Sequence, residues 1–132
     1  MARLPLERLG SAMLFFQKRL ASFAYAFRGL WQIVRHQANM QLHLMAAVAV
    51  LGLGAYLGLA CFEWSLLVLA IGLVVTAEAL NTALETLGDA ITQESHPLVG
   101  QAKDMAAAGV LLAAITAAVI GALVFIPHLG RW

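Results

Sequence analysis

The sequence predicts an all-α membrane protein in which an amphipathic surface helix precedes three transmembrane helices. The chain is 62% hydrophobic and only 11% charged, and it contains three long apolar segments. Soluble domains carry about a quarter of charged residues, so this composition is typical of membrane proteins. We expect a single domain over residues 1–132. A water-soluble helical bundle is the alternative, and the composition argues against it.

The surface helix is expected over residues 11–38, where apolar and polar residues recur with a helical period. One face comprises Phe16, Leu20, Phe23, Phe27, Leu30, Trp31 and Val34, and the opposite face comprises Lys18, Ser22, Arg28, Gln32 and Arg35. A helix that is aromatic on one side and basic on the other is typical of the membrane interface. Packing against the transmembrane helices is a second interpretation, and the two are compatible.

The transmembrane helices are expected at about residues 42–61, 64–91 and 97–127. The first contains most of a 19-residue uncharged run, and the third contains a 22-residue uncharged run. About 20 residues cross the hydrocarbon core as a helix, so each segment is long enough. Pro97 suits the first turn of the third helix, with Ser95 or His96 as its cap.

The distribution of basic residues predicts the orientation. Seven of the eight Lys and Arg residues either precede the first span or lie in the connection between the second and third spans. These are Arg3, Arg8, Lys18, Arg19, Arg28, Arg35 and Lys103, whereas Arg131 follows the third span. Basic residues are concentrated on the cytoplasmic side of membrane proteins, so we expect the N-terminus there.

Four polar residues mark the second span: Glu78, Asn81, Glu85 and Asp89. At about 100° per residue they fall within roughly 60° to one side of Glu78 and 20° to the other. An ionisable group at membrane depth is costly and is rarely kept without a function. The pattern predicts a polar stripe that runs from the membrane towards water.

Lys103 and Asp104 lie about two turns into the next helix, and a short connection would bring them beside this stripe. Carboxylate and amide oxygens suit Mg²⁺, which usually arrives with phosphates, and a lysine can hold a phosphate. A carboxylate kept from water is a better base towards a hydroxyl group. The set therefore suggests phosphoryl transfer to a lipid alcohol. The sequence has no P-loop or protein-kinase Gly-rich loop.

Residues 78–114 strongly resemble the bacterial integral-membrane diacylglycerol kinase and undecaprenol kinase family. The family signature combines a Glu-x-x-Asn-[Ser/Thr]-Ala-[Ile/Leu]-Glu run and a following Asp with a His that precedes an Ala-Lys-Asp-[Met/Ile] element. The matching residues are Glu78, Asn81, Thr82, Glu85, Asp89, His96, Lys103 and Asp104. The resemblance extends back to about Phe23.

The resemblance implies a homotrimeric helical bundle in the bacterial cytoplasmic membrane, with active sites between subunits and ATP and Mg²⁺ bound at the cytoplasmic boundary. It implies that Glu78 is the general base towards the lipid alcohol and that Glu85 binds the metal. It also implies that Asn81, near the lipid, and Lys103 contact the phosphates. No nucleic acid is expected as a partner.

Three further site residues follow from the same resemblance. Asp89 and Asp104 would support the nucleotide and the polar network, although a simple ion pair with Lys103 is an equal interpretation of Asp89. Gln37 stands where the family usually has a second metal-binding Glu. An amide oxygen can still be a ligand but carries no charge, so we expect weaker Mg²⁺ binding or a water-bridged contact. An inactive relative of the kinases is the alternative.

Undecaprenol is the preferred substrate, because residues 96–129 look closer to the undecaprenol kinase branch. Diacylglycerol is the second choice, since it offers a primary hydroxyl at similar depth. A non-enzymatic alternative is an oligomeric ion or proton pathway that uses Glu78. That alternative leaves Lys103 and Asp104 without a role.

Overall fold

Four helices make up the fold. The computed structural model describes residues 5–92, 94 and 96–130, with their side chains from residue 13 onward. The helices are α1 (Pro5–His36), α2 (Ala38–Leu57), α3 (Cys61–Ile91) and α4 (Pro97–Leu129), and the described residues contain no strand. The last three helices are long and apolar enough to cross a membrane. The predicted all-α fold with three spans is therefore confirmed.

The first transmembrane helix begins earlier than the apolar run suggests. Gln37 has an extended backbone, with φ −103° and ψ 113°, and separates α1 from α2. Its carbonyl oxygen accepts a hydrogen bond from the Gln41 N–H at 3.1 Å. Backbone hydrogen bonding thus carries the helix through the polar residues before the predicted start at about residue 42. The other two spans also extend two or three residues beyond one predicted end.

Residues 1–36 form one compact unit, which contains α1. The large apolar side chains of this helix are exposed within the unit. Three arginine guanidinium groups lie over aromatic rings three or four residues earlier: Arg19 over Phe15 at 5.2 Å, Arg28 over Tyr25 at 5.6 Å and Arg35 over Trp31 at 5.8 Å. Such contacts let a cation share a surface with aromatic groups. The interfacial position of α1 and the single-domain organisation stay predictions.

Residues 37–132 form the second compact unit, and α3 is its central element. This helix packs most extensively against α4 and less against α2, while α2 and α4 share few contacts. Leu59, Leu67 and Val124 form a buried apolar cluster near the α2–α3 connection. The polar stripe lies on the helix that both other spans contact.

The start of α3 is tied to the end of α4 at the end of the unit that lies away from the stripe. Glu63 Oε2 accepts a hydrogen bond from the Ala60 N–H at 2.7 Å, and its other oxygen lies 3.6 Å from His128 Nε2. His128 Nδ1 lies 3.0 Å from the Val124 carbonyl oxygen. These contacts hold the start of α3 against the end of α4. They fix the register of this antiparallel helix pair at the end that lies away from the stripe.

A short connection joins α3 to α4 at the opposite end. His96 has an extended backbone and is the N-cap residue of α4, and Pro97 occupies the first turn as predicted. The alternative cap, Ser95, and the basic residues Arg3 and Arg131 lie outside the described residues.

Candidate functional site

The length of α3 spreads its carboxylates across the membrane boundary. The helix has 31 residues, and at about 1.5 Å per residue it is longer than the hydrocarbon core of about 30 Å. Glu78 lies about 26 Å along the axis from Cys61, whereas Glu85 and Asp89 lie at about 36 Å and 42 Å. With one edge of the hydrocarbon core placed at Cys61, Glu78 would lie at membrane depth, and Glu85 and Asp89 would lie beyond it.

Three polar residues within one turn of α3 are buried. Glu78 is 2% exposed, Asn81 4% and Thr82 7%. Glu78 Oε2, Asn81 Oδ1 and Thr82 Oγ1 have no hydrogen-bond partner among the described residues. A buried polar atom without a partner costs about 1–3 kcal/mol. The turn is thus a site whose polar atoms need a ligand or another chain to complete them.

Asn81 and Glu85 are already joined. Asn81 Nδ2 donates a hydrogen bond to Glu85 Oε1 at 3.0 Å, as the spacing of four residues along a helix allows. Glu85 is partly exposed, in contrast to the buried Asn81. The bond orients the Glu85 carboxylate at the boundary between the buried turn and the open end of the helix.

Lys103 and Asp89 form an ion pair across α3 and α4, with Nζ 2.5 Å from Oδ1. Gly88 makes this approach possible, because a Cβ atom there would lie 2.8 Å from Lys103 Cε and 3.1 Å from Val99 Cγ1. The pair is the one proposed from the sequence as an alternative role for Asp89. Because the Asp89 side chain is 72% exposed, the pair is worth about 1 kcal/mol or less, and a phosphate can compete for the lysine.

A polar cavity of about 470 Å³ lies beside this ion pair. Its lining residues are Asp89, Thr92, Glu94, His96, Val99, Gly100 and Lys103. Ligand-binding cavities commonly measure about 300–1,000 Å³. The cavity has the size for a ligand, and its charged lining residues are Lys103 and the carboxylates Asp89 and Glu94.

A second cavity of about 420 Å³ lies within the span region, between α2, α3 and α4. It is almost entirely apolar, and half of its lining residues are Ala or Gly: Ala46, Ala47, Ala70, Ala114, Ala117, Ala118 and Gly121. Val74 and Val75, about one turn before Glu78, also line it. Small side chains leave room for an apolar chain close to the buried carboxylate.

The described structure places neither Gln37 nor Asp104 in hydrogen-bond or ion-pair contact with another predicted site residue. Gln37 is partly buried at the start of α2, and Asp104 is exposed next to Lys103. In the described part of the chain, no hydrogen bond or ion pair links their side chains to the stripe. The described residues also contain no group of three or more His, Cys, Asp or Glu side chains arranged around a metal position.

The donor set nevertheless fits a Mg²⁺ ion that arrives with a nucleotide. Mg²⁺ keeps several waters and commonly takes only one or two protein carboxylates besides phosphate oxygens. The Glu85 carboxylate and the unpartnered Asn81 Oδ1 are hard oxygen atoms of this kind.

Thr82 and Gly88 are features of the site to which the sequence analysis assigned no role. Thr82 follows Glu78 by four residues, so helical spacing alone places it on the same side of α3. Gly88 directly precedes Asp89 inside a helix, where an isolated glycine indicates a close approach or a weak point. Thr82 differs from its neighbours in its burial, and Gly88 differs in the close approach of the Lys103 side chain.

Comparison with known proteins gives matches over most of the chain. Residues 24–125 match the sequence model of the family described as prokaryotic diacylglycerol kinase. The chain is 44% identical over 108 residues to an undecaprenol kinase of Bacillus subtilis, which covers 82% of this chain and 88% of the relative. It is 40% identical over 111 residues to a diacylglycerol kinase of Synechocystis sp., covering 83% of this chain and 63% of the relative. It is 30% identical over 115 residues to a diacylglycerol kinase of Escherichia coli K12, covering 87% and 94%.

Proposed function

The chain belongs to the prokaryotic diacylglycerol kinase family, and on this premise we propose that it phosphorylates undecaprenol with ATP and uses Glu78 as the general base. The family membership makes the protein a multi-pass membrane enzyme of the lipid kinase class, with ATP as the phosphoryl donor that a kinase implies. The ion or proton pathway is no longer needed to explain a buried carboxylate. The observation that carries the proposal is the buried Glu78 with one unpartnered oxygen.

Glu78 would act on the alcohol as it attacks the γ-phosphorus of ATP. The carboxylate takes the proton of the alcohol O–H, and the alcohol oxygen forms the new bond to phosphorus. The bond between the γ-phosphorus and the β–γ bridging oxygen breaks, and ADP leaves with that electron pair. Phosphoryl transfer of this kind depends on positioning and charge stabilisation and needs no covalent enzyme intermediate. The burial of Glu78 supports this role, because a base in a water-poor site would activate the lipid alcohol and not water. The scarcity of water would also limit the hydrolysis of ATP.

Asn81 and Lys103 would contact the phosphates, and Asp89 and Asp104 would support them. The exposed Asp89–Lys103 pair holds the lysine where α3 and α4 meet, so a phosphate group can replace the Asp89 carboxylate as its partner. The polar cavity beside the pair supports a nucleotide position at this end of the helices.

Glu85 would be the principal protein ligand of Mg²⁺, and Gln37 would supply a neutral oxygen at the place where the family usually has a Glu. When bound, the ion would neutralise charge on the ATP phosphates. The hydrogen bond from Asn81 holds the Glu85 carboxylate in one orientation before the nucleotide arrives.

Two observations favour undecaprenol over diacylglycerol as the acceptor. The identity to an undecaprenol kinase is 44%, compared with 40% and 30% to two diacylglycerol kinases. Residues 96–129 also resemble the undecaprenol kinase branch more closely than the diacylglycerol kinase branch. Diacylglycerol as the better acceptor is the second outcome that the assay below distinguishes.

We further propose that three chains assemble in the bacterial cytoplasmic membrane with the N-terminus inside. The unpartnered polar atoms of the buried turn support an active site completed by another subunit. Native mass measurement in detergent should give three chains of 14.1 kDa. A single chain with full specific activity would contradict the assembly.

The direct test measures labelled phosphate transfer from ATP in mixed micelles, with undecaprenol and diacylglycerol offered separately. The matched variants are Glu78→Gln in the buried turn and Glu63→Gln at the start of α3, and each removes one carboxylate. We expect Glu78→Gln to lower kcat by about 10²–10⁴-fold, the usual contribution of a general base, and Glu63→Gln to change it less than about twofold. Transfer that survives in Glu78→Gln would remove Glu78 from the chemistry.

A further inference from the structure

Thr82 differs from other hydroxyl residues on these helices. A Ser or Thr inside a helix commonly donates its hydroxyl to the carbonyl oxygen four residues earlier. Thr86 does so to the Thr82 carbonyl at 2.8 Å and Thr116 to the Leu112 carbonyl at 2.9 Å. Thr82 is more deeply buried than either, yet its Oγ1 has no partner among the described residues. Its hydroxyl is therefore available for a group that the isolated chain does not contain.

The position of Thr82 relates this hydroxyl to the proposed base. Along α3, Thr82 lies about 40° from Glu78 in one direction and Asn81 lies about 60° in the other. Glu78 therefore lies between the two other residues with an unpartnered buried atom. The three residues therefore lie on one side of α3, within an arc of about 100°.

The chemistry of the three atoms fits an alcohol. The Glu78 carboxylate oxygen and the Asn81 amide oxygen only accept hydrogen bonds, whereas the Thr82 hydroxyl both donates and accepts. An alcohol O–H group can donate its proton to Glu78 and accept a hydrogen bond from Thr82 through one lone pair. Its second lone pair then remains for attack on phosphorus. A phosphate oxygen would find only one donor among these three atoms, so a phosphate contact of Asn81 would use its Nδ2 group instead.

We infer that Thr82 is an acceptor-binding residue, whose hydroxyl donates a hydrogen bond to the oxygen of the lipid alcohol that Glu78 deprotonates. The inference rests on the proposed lipid kinase function and adds a second contact to the reacting hydroxyl. The hydrogen bond would hold the alcohol oxygen within one helical turn of the base, which limits the orientations from which it can attack.

Replacement of the hydroxyl by a methyl group tests this role. Thr82→Val keeps the shape of the side chain, Thr82→Ser keeps the hydroxyl, and Thr116→Val makes the same change at a threonine of α4 that bonds to its own helix. For phosphate transfer to undecaprenol, we expect Thr82→Val to lower kcat/KM for the alcohol about tenfold, the usual effect of one lost hydrogen bond. The KM for ATP should change less than about twofold. Thr82→Ser should recover at least half of the loss, and Thr116→Val should match the unmodified chain.

The outcomes separate this inference from the proposed function. An active enzyme in which Thr82→Val leaves kcat/KM for the alcohol unchanged would overturn the Thr82 role alone. The Thr82 role would also be overturned if Thr82→Ser is as impaired as Thr82→Val, or if Thr82→Val changes the oligomeric state. In these cases the Thr82 side chain would contribute to packing or to assembly. An unmodified chain that phosphorylates no alcohol would overturn the lipid kinase function and this inference together.

Discussion

Glu78 combines an ionisable side chain with almost complete burial in a membrane helix. Its neighbours do not neutralise it: the described residues bring no Lys, Arg or His within ion-pair distance of its carboxylate. Charged groups at this depth are normally paired, so an unpaired one indicates a functional site. The same turn adds Asn81 and Thr82, so three buried polar residues are concentrated on one side of α3.

The family resemblance implies a metal-binding Glu at the position of Gln37, and this expectation leads to a test of metal binding. Gln37→Glu should lower the Mg²⁺ concentration for half-maximal rate by about threefold to tenfold, because a charged oxygen replaces a neutral one near the cation. The measurement is kinase rate against free Mg²⁺ at fixed ATP.

The matched control is Gln32→Glu, which adds the same charge on the polar side of α1. Equal Mg²⁺ requirements in all three proteins would mean that Gln37 is not near the metal. An equal decrease in both variants would indicate a general surface-charge effect.

At the scale of elements, α3 and α4 act as one unit that is tied at both ends. Glu63 and His128 meet at one end, and Asp89 and Lys103 meet at the other. The buried turn lies between them on α3, closer to the Asp89–Lys103 end. The relative position of Glu78 and Lys103 therefore depends on how closely the two helices pack at Gly88.

Gly88→Ala tests this dependence. The added Cβ would lie 2.8 Å from Lys103 Cε, and because that atom is near the end of a flexible side chain, the lysine should move and the helix should remain intact. We expect the KM for ATP to rise about fivefold to tenfold, because Lys103 no longer lies where it meets the phosphates. Steady-state kinetics with varied ATP measure this change.

Gly72→Ala on the same helix is the control, because nothing lies within 4 Å of its added Cβ. Both substitutions gain up to about 1 kcal/mol of helix propensity, so a lower thermal midpoint is not expected for either. If the two variants share the same KM for ATP, Gly88 does not set the position of Lys103.

At the scale of the whole molecule, the spans place the α2–α3 connection and the α3–α4 connection on opposite faces of the membrane. Cys61, the only cysteine of the chain, is exposed at the first connection. The basic residues before the first span predict that this connection faces outward.

Cys61 therefore reports the orientation directly. A membrane-impermeant thiol reagent should label it in intact cells. In a Cys61→Ser, Glu94→Cys variant, labelling should require permeabilisation, because residue 94 lies in the opposite connection. The reverse pattern would place the nucleotide end of the site outside the cytoplasm and contradict the proposed topology.

Part of the candidate site follows from the sequence alone. The spacing of Glu78, Asn81 and Glu85 places them on one side of α3, because helical geometry is local and needs no knowledge of neighbouring helices. Their roles came from the family resemblance and stay predictions. The beginning of α2 at Ala38 was not foreseen, because hydropathy marks the apolar run and not the first backbone hydrogen bond.

The sequence by itself determined the three spans, the stripe and the charged partner on α4, since composition and helical period are properties of the local chain. Only the tertiary structure decided which of these side chains are buried and which are already paired. Burial depends on how α2 and α4 pack against α3, and pairing depends on clearances of a few tenths of an ångström at residues such as Gly88. For that reason Thr82, a signature residue to which the sequence assigned no role, became a candidate for substrate binding only when its hydroxyl was found buried and without a partner among the described residues.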